Sequence, residues 1–240
     1  MASFLTDANT SSDYALSALR AMKQVWSARP SPLTMTPYDL RSRDLVLDDK
    51  IVSVRSFDEE ALVNIMKSSH DTLLQLPGIS GNETLLAAIL ATPLHVKEDL
   101  LLAEGVTVDV YALLKDLVTV YGNGRVNINT VSPEVLTVLD APVDLISRIR
   151  QYRAGDDGEE GTVDDRVFDD ISRIDDDLEP FGLMPQEREW IQTLVLAQRL
   201  TTGSGIIRCE MTLIKGERIL RHFRITVDLS AGTILRWDEE

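Results

Sequence analysis

The sequence lacks the features that would place it in several common classes of protein. It contains one cysteine, Cys209, so no disulfide can form within the chain, which neither proves nor excludes export. It has no run of about 20 apolar residues, so we expect the chain as given not to span a membrane. The first residues also lack the basic and apolar regions of a signal peptide, and a Met-Ala start suggests a truncated chain.

Sequence motifs of catalysis are also missing. The three histidines, His70, His95 and His222, stand in unrelated contexts and lack the spacing of metal ligands. There is no glycine-rich phosphate loop, nucleophile elbow or zinc-protease motif. We therefore expect neither enzymatic activity nor a small-molecule substrate.

Basic residues are too few to balance the acids. The chain has 24 Lys and Arg against 39 Asp and Glu, which gives a net charge of -15. Residues 155–180 hold twelve acids and two arginines, so net -10 of this charge lies in one segment. Binding to nucleic acid or to an anionic membrane requires cations that neutralise phosphates, so the composition disfavours both.

The apolar pattern predicts an α+β fold. Residues 11–28 have helical periodicity, with Ser11 or Ser12 as a cap and an end before Pro30. Residues 45–54 form two β-rich runs around a polar turn, which predicts a hairpin. Residues 205–237 alternate as a three-stranded meander.

Neither group of strands can bury its apolar face alone, so we expect both in one antiparallel sheet packed on the first helix. The block from residue 58 to 200 is mostly helical in pattern and would then be inserted between two strands of that sheet. The predicted division is 1–57 for the helix and hairpin, 58–202 for the inserted helical domain and 203–240 for the meander.

The segment from Gly124 to Leu139 predicts a short strand, a turn and a capped helix. Its first residues, Val-Asn-Ile-Asn, alternate as in a half-buried strand. Ser132 is a good N-cap, Pro133 suits the first helical position, and Glu134 is favoured by the helix dipole.

The acidic loop from Arg153 to Phe168 has the composition of a calcium site. Gly158 and Gly161 allow tight turns, so that several oxygens can converge on one hard cation. The alternative, a solvated loop without a metal, stays open. The candidate Ca²⁺ ligands are the carboxylates and one threonine of the loop: Asp156, Asp157, Glu160, Thr162, Asp164 and Asp165.

A helix-hairpin-helix element is another possible functional feature of the sequence. Leu74 to Gly81 resembles the hairpin of such domains, whose backbone N–H groups can bind phosphate. No lysine or arginine lies beside it, and its counterpart at 140–144 has no glycine and carries two carboxylates. We therefore expect the fold element without nucleic-acid binding, and a nucleic-acid-binding module is the alternative function.

The paired motifs resemble minor pseudopilin K of the bacterial type II secretion system, also called general secretion pathway protein K. The similarity in the helix entry rests on Asn127, Asn129, Thr130, Glu134 and Leu136. The similarity at the helix end and loop rests on Tyr152, Arg153, Asp157, Gly158, Gly161, Thr162, Asp164, Asp165 and Phe168. The C-terminal meander with the aromatic Trp237 is also similar.

This resemblance implies a pilin-like helix on an antiparallel sheet with a large SAM-like or helix-hairpin-helix-like insertion. It also implies a role at the tip of the periplasmic pseudopilus, in a hetero-oligomeric complex with minor pseudopilins I and J that assists export of folded proteins. The family begins with a prepilin leader and an apolar helix, so we expect a periplasmic domain anchored in the inner membrane by a helix absent here. The candidate partner-binding residues lie on the first helix: Tyr14, Leu16, Leu19, Met22, Val25 and Trp26.

Overall fold

The structure is a computed structural model that describes residues 2–26 and 33–240, with side chains described from residue 11 onward. The chain divides into two compact units. The first unit comprises the described residues of Met1–Leu33 together with Asp39–Phe57 and Gly205–Glu240. The second comprises Thr34–Tyr38 and Asp58–Ser204.

The first unit begins with one long helix, α1, which runs from Ala2 to Trp26. The prediction that Ser11 or Ser12 caps this helix is wrong, because the helix continues through both. Residues 2–10 contain neither proline nor glycine, so nothing in the sequence stops it there. The predicted last turn and the proline stop, residues 27–32, lie outside the described residues. Among the described residues, no helix is long and apolar enough to cross a membrane.

A five-stranded sheet completes this unit, and its strands are, in spatial order, β1 Arg43–Leu47, β2 Lys50–Asp58, β7 Ile206–Lys215, β8 Arg218–Asp228 and β9 Thr233–Glu239. The short helix α2, Pro37–Leu40, precedes its first strand. The hairpin pairs β1 with β2, and the meander pairs β7 with β8 and β8 with β9, all antiparallel. Thus β2 and β7 are neighbours although they are far apart in sequence.

Helix α1 packs against β1 and β7. Its buried face includes Ala18 and Ala21, and the facing residues of β7 alternate between buried and half-buried along the strand. Cys209 is buried there as a small core residue, and burial raises the pKa of its thiol to about 11. The predicted alternation is interrupted near the start of β8, where the β7–β8 register shifts between Leu213 and Ile214 and Ile219 is exposed.

The second unit is built from short helices and two pairs of short parallel strands. Its first half contains β3 Val63–Asn64, α3 His70–Leu74, α4 Glu83–Ala91, α5 Val108–Leu114 and β4 Val118–Thr119. Its second half contains β5 Val126–Asn127, α6 Pro133–Val138, α7 Val143–Arg153, α8 Ile174–Leu178, α9 Pro185–Leu196 and β6 Leu200–Thr201. Short 3-10 helices at 59–61, 97–102, 171–173 and 179–181 connect them.

The two halves repeat one local structure. In each, a Val-Asn strand pairs in parallel with a strand that ends in threonine. The asparagine side-chain oxygen accepts a hydrogen bond from the backbone N–H two residues later, at 3.0 Å for Asn64 and 3.1 Å for Asn127. A serine five residues after each asparagine, Ser69 or Ser132, caps the next helix. The second unit is therefore two copies of one supersecondary motif around a shared apolar core.

The segment at 126–129 differs from its prediction. A half-buried strand was expected, but the strand has two residues and all four positions are buried. The asparagines can be buried because their amides satisfy backbone groups inside the unit. The predicted Ser132 cap and Pro133 at the helix start are confirmed.

Candidate functional site

The acidic loop begins where helix α7 ends, at Arg153. Gly155 follows with φ +65°, and a Cβ at this position would lie 2.3 Å from the carbonyl oxygen of Asp164. Only glycine therefore lets the two ends of the loop approach this closely. Gly158 and Gly161 also have positive φ, at 77° and 96°, as the predicted tight turns require.

Asp164 closes the loop through hydrogen bonds to its carboxylate. One oxygen, Oδ2, accepts from the backbone N–H of Asp156 at 2.7 Å and of Asp157 at 3.0 Å. The other oxygen accepts from the Thr162 hydroxyl at 2.7 Å. The Thr162 hydroxyl and these amides lower the pKa of Asp164 to about 2, because they favour the charged form.

Asp165 makes a second set of backbone contacts. It accepts from the N–H of Gly161 at 3.0 Å and of Thr162 at 3.3 Å. Its Oδ2 also accepts from the N–H of Tyr38 at 2.9 Å, which ties the loop to segment 34–38 of the same unit. Asp164 and Asp165 thus both act as acceptors for backbone donors.

The remaining predicted ligands have other partners. Asp156 forms an ion pair with Arg166. The Asp157 carboxylate accepts from the backbone N–H of Glu159 at 2.8 Å, which makes a local turn. These contacts lie on the exposed side of the loop.

Arg153 is a buried cation that joins the loop to the asparagine turn. It is 2% exposed, and its guanidinium donates to the carbonyl oxygens of Ile128 at 3.2 Å and Val131 at 2.8 Å. Its Nε donates to Glu160 at 2.7 Å, while the more exposed Arg150 pairs with the same carboxylate at 2.9 Å. Burial lowers the pKa of Arg153, and the Glu160 charge opposes that effect.

Asn129 fixes the other end of the loop. Its side chain accepts from the N–H of Phe168 at 2.7 Å and donates to the carbonyl of the same residue at 3.0 Å. It also donates to the Thr202 carbonyl at 2.8 Å. The Phe168 ring stacks on Tyr152, with centroids 4.2 Å apart. The two sequence motifs are therefore adjacent in space and held by the same buried side chains.

These contacts bear on whether the loop can hold Ca²⁺. The ion takes six to eight oxygens that converge on one point. In the described part of the chain, no group of three or more Asp, Glu, His or Cys side chains is placed to hold a metal ion. The carboxylates of the loop instead face separate backbone and arginine donors, so this arrangement does not fit the ion. Calcium binding stays a prediction that requires some of these donors to be exchanged for the ion.

A buried carboxylate that the sequence analysis did not single out lies beneath the asparagine turn. Asp58 is 4% exposed and accepts from the side chains of Asn127, at 2.8 Å, and Thr130. Burial raises its pKa above the ordinary value of 3.8, although its hydrogen bonds oppose the shift. The neighbouring Glu59 is also buried and accepts from the Thr119 hydroxyl at 2.7 Å. The recurrence of Val-Asn-Ile at 63–65 and 126–128 was the signal that could have revealed this structure.

The candidate partner-binding residues of α1 differ in exposure. Leu16 is 50% exposed, whereas Trp26 is 3% exposed and therefore packs inside its unit. The side chain of Arg221 lies over the Tyr14 ring at 5.8 Å. Leu19, Met22 and Val25 are, like Tyr14, half-buried. Trp26 is thus a core residue of its unit, and its predicted contact with a partner stays untested.

Comparison with solved structures identifies a similar fold. The chain is similar to one chain in the crystal structure of the GspK-GspI-GspJ complex from the type 2 secretion system of enterotoxigenic Escherichia coli. The TM-score is 0.56 at 14% sequence identity, over 98% of this chain and 95% of that chain. No family model and no curated protein matches the sequence. The chain therefore has the mixed helix and antiparallel-sheet fold of a type 2 secretion protein, as its sequence resemblance predicts.

Proposed function

We propose that this chain is a minor pseudopilin of a type II secretion system. The observation that carries the proposal is the fold likeness, which extends over nearly the whole chain. The sequence motifs at 127–136 and 152–168 support the same assignment. The proposed role is structural: the chain assembles with minor pseudopilins I and J at the tip of the periplasmic pseudopilus and assists export of folded proteins.

Absence of catalysis is part of this proposal. The acids of the loop are used as hydrogen-bond acceptors and ion-pair partners within their unit. The thiol of Cys209 is buried and its pKa is raised, so it is a poor nucleophile. A mainly structural role needs no further chemistry from these groups.

The proposed partner surface, named here the α1 surface, consists of Tyr14, Leu16, Leu19, Met22 and Val25. Leu16 is the most exposed large apolar side chain of this set. Packing of exposed apolar sectors is a common way for helices to associate. The α1 surface would bind an apolar helix of a second pseudopilin in this way.

The matched variants Leu16→Glu and Gln24→Glu test this surface. Both add one negative charge to exposed positions of α1, but only the first removes an apolar contact. Leu16→Glu should weaken association with I and J homologues by about tenfold or more, with little change in melting temperature. Equal affinities of the two variants for those homologues would show that this surface is not the interface.

The alternative is a nucleic-acid-binding helix-hairpin-helix module, since each half of the second unit contains a helical hairpin. The net charge of -15 and the carboxylates of Asp140 and Asp144 oppose it. A fluorescence titration with duplex DNA near physiological salt distinguishes the two functions. Micromolar binding that weakens as salt rises would favour the alternative.

Calcium binding by the acidic loop is a separate proposal. It rests on the density of carboxylates and glycines between Asp156 and Asp165. It requires Asp164 and Asp165 to release some of their backbone donors, because both carboxylates are engaged in the structure. The pseudopilin assignment does not depend on it.

A further inference from the structure

A polar cavity of about 410 Å³ in the second unit is lined by three cations and by no carboxylate. It lies where the link between the two halves, residues 122–125, meets the turn after β3 and the entry to β6. The cations are Lys67, Arg125 and Arg199, and the hydroxyl and amide side chains around them are those of Ser68, Thr72, Asn123 and Gln198.

These cations differ from most others in the chain. Arginines elsewhere in the second unit, such as Arg148, Arg150 and Arg188, pair with carboxylates. In the cavity, Arg125 donates to Gln198 at 3.1 Å and Arg199 to the Thr72 hydroxyl at 3.1 Å. Among the described side chains, those of residues 11–26 and 33–240, no carboxylate forms an ion pair with either arginine or with Lys67. Three uncompensated positive charges therefore converge in a protein whose net charge is strongly negative.

The backbone is shaped to leave the cavity open. Gly124 has φ +90°, and a Cβ there would lie 2.6 Å from the Cβ of Lys67. A side chain at 124 would therefore displace Lys67 from the rim. Arg199 is half-buried, while Lys67 and Arg125 are exposed, so the charges line both the wall and the mouth.

We propose that this cavity binds a carboxylate carried by an acidic polypeptide segment of a partner protein. Guanidinium groups bind planar carboxylates through two parallel hydrogen bonds, and an ammonium adds a flexible third cation. The volume suits one or two acidic side chains. A nucleic-acid duplex would present a long row of phosphates, which the surrounding negative charge repels.

The probe is a capped peptide with two adjacent glutamates flanked by glycines, and the matched ligand replaces both glutamates by glutamine. Binding is followed by NMR at low salt on the amides of residues 122–126 and 197–199. We expect saturable binding of the glutamate peptide only, and weaker binding as salt rises. A glutamine peptide that binds equally well would overturn the proposal.

The matched variants are Lys67→Gln with Arg125→Gln, and Lys23→Gln with Lys115→Gln. Each removes two exposed cations, but the second pair lies outside the cavity. We expect the first pair to weaken peptide binding by about tenfold and the second by less than about twofold. An equal loss of peptide affinity in both double variants would show that only the overall charge matters, and it would contradict the proposed site.

Two further arms make the result decisive. Inorganic phosphate and a short single-stranded oligonucleotide are titrated in the same way, and preferential binding of either at these amides would replace the carboxylate assignment with a phosphate site. If the double variant does not fold, Lys67→Gln alone is measured, because its exposed side chain has no bonding partner among the described residues. A single variant that binds the glutamate peptide like the parent would then contradict the proposal.

Discussion

At the scale of residues, the second unit depends on charges that are buried and satisfied. Arg153 holds the acidic loop against the turn that precedes α6, since it donates to two carbonyls of that turn and to Glu160. A buried charge is costly unless hydrogen bonds replace the lost water. The structure meets that requirement for Arg153 and for the carboxylate of Asp58.

Replacing Arg153 by methionine should destabilise the chain by at least about 2 kcal/mol, because two carbonyls lose a buried donor and Glu160 loses one of its two arginine partners. The control is Arg150→Met, which removes the other partner of Glu160 at a position that is 56% exposed. That change should cost less than about 1 kcal/mol. Urea unfolding of both variants gives the comparison, and similar losses would show that the buried contacts of Arg153 contribute little.

The pKa of Asp58 predicts a pH dependence. Its folded-state pKa is raised above 3.8, so the protonated form is favoured in the folded state. Its contribution to the free energy of unfolding is therefore greatest below pH 3.8 and falls as the pH rises towards the folded-state pKa. Asp58→Asn cannot ionise, so the parent should lose stability relative to this variant across that interval. Chemical unfolding at a series of pH values gives the free energy of unfolding of the parent and of the variant. The value of the parent minus that of the variant should fall as the pH rises, and a value that stays constant or rises would contradict the assignment.

At the scale of elements, each half of the second unit uses one asparagine to turn the chain from a strand into a helix. Asn127→Ala and Asn64→Ala should each cost about 1–3 kcal/mol, since buried backbone donors lose their acceptor. The cost should be larger for Asn127, whose amide donates to the buried carboxylate of Asp58, than for Asn64, whose amide donates to the carbonyl oxygen of Tyr121. Gln151→Ala, at an exposed position of α7, should stay within about 0.5 kcal/mol of the parent. A smaller loss for Asn127 than for Asn64 would contradict this reading of the turn.

The acidic loop carries the calcium prediction. If the ion binds the folded state, the melting temperature should rise in millimolar calcium relative to chelator. Asp164→Ala combined with Asp165→Ala should abolish that rise. Identical melting curves of the parent with calcium and with chelator would contradict calcium binding, and the loop would then be held by its own hydrogen bonds and ion pairs.

Part of the fold followed from local sequence patterns. Alternation predicted the hairpin at 45–54 and the meander, and Ser132-Pro133 predicted the start of α6, because these signals depend on neighbouring residues. The start of α1 was missed because a helix without an early breaker can extend past any serine. The buried asparagines were taken for a solvent face, since only the tertiary contacts of Asn129 with Phe168 show why they are inside.

The candidate site was predictable in composition but not in geometry. The loop residues were identified from their carboxylates and glycines, and Gly158 and Gly161 do provide the positive φ values that tight turns need. The partners of those carboxylates were not predictable, because backbone donors and Arg153 come from different parts of the chain. The cationic cavity was missed for the same reason, as Lys67, Arg125 and Arg199 are distant in sequence.

At the scale of the whole molecule, the chain is proposed to be an assembly component and not an enzyme. Its fold is that of a chain found in a three-protein secretion complex. The α1 surface includes an exposed apolar side chain, Leu16, which favours contact with an apolar partner. The net charge of -15 opposes nonspecific association with anions.

The central claim is tested most directly by the mass of the complex in solution. The chain is mixed with purified homologues of minor pseudopilins I and J, and light scattering coupled to size-exclusion chromatography measures the mass of each peak. The account predicts one peak with the mass of a heterotrimer that contains this chain of 26.7 kDa. Separate elution of this chain while I and J associate with each other would contradict the proposed function.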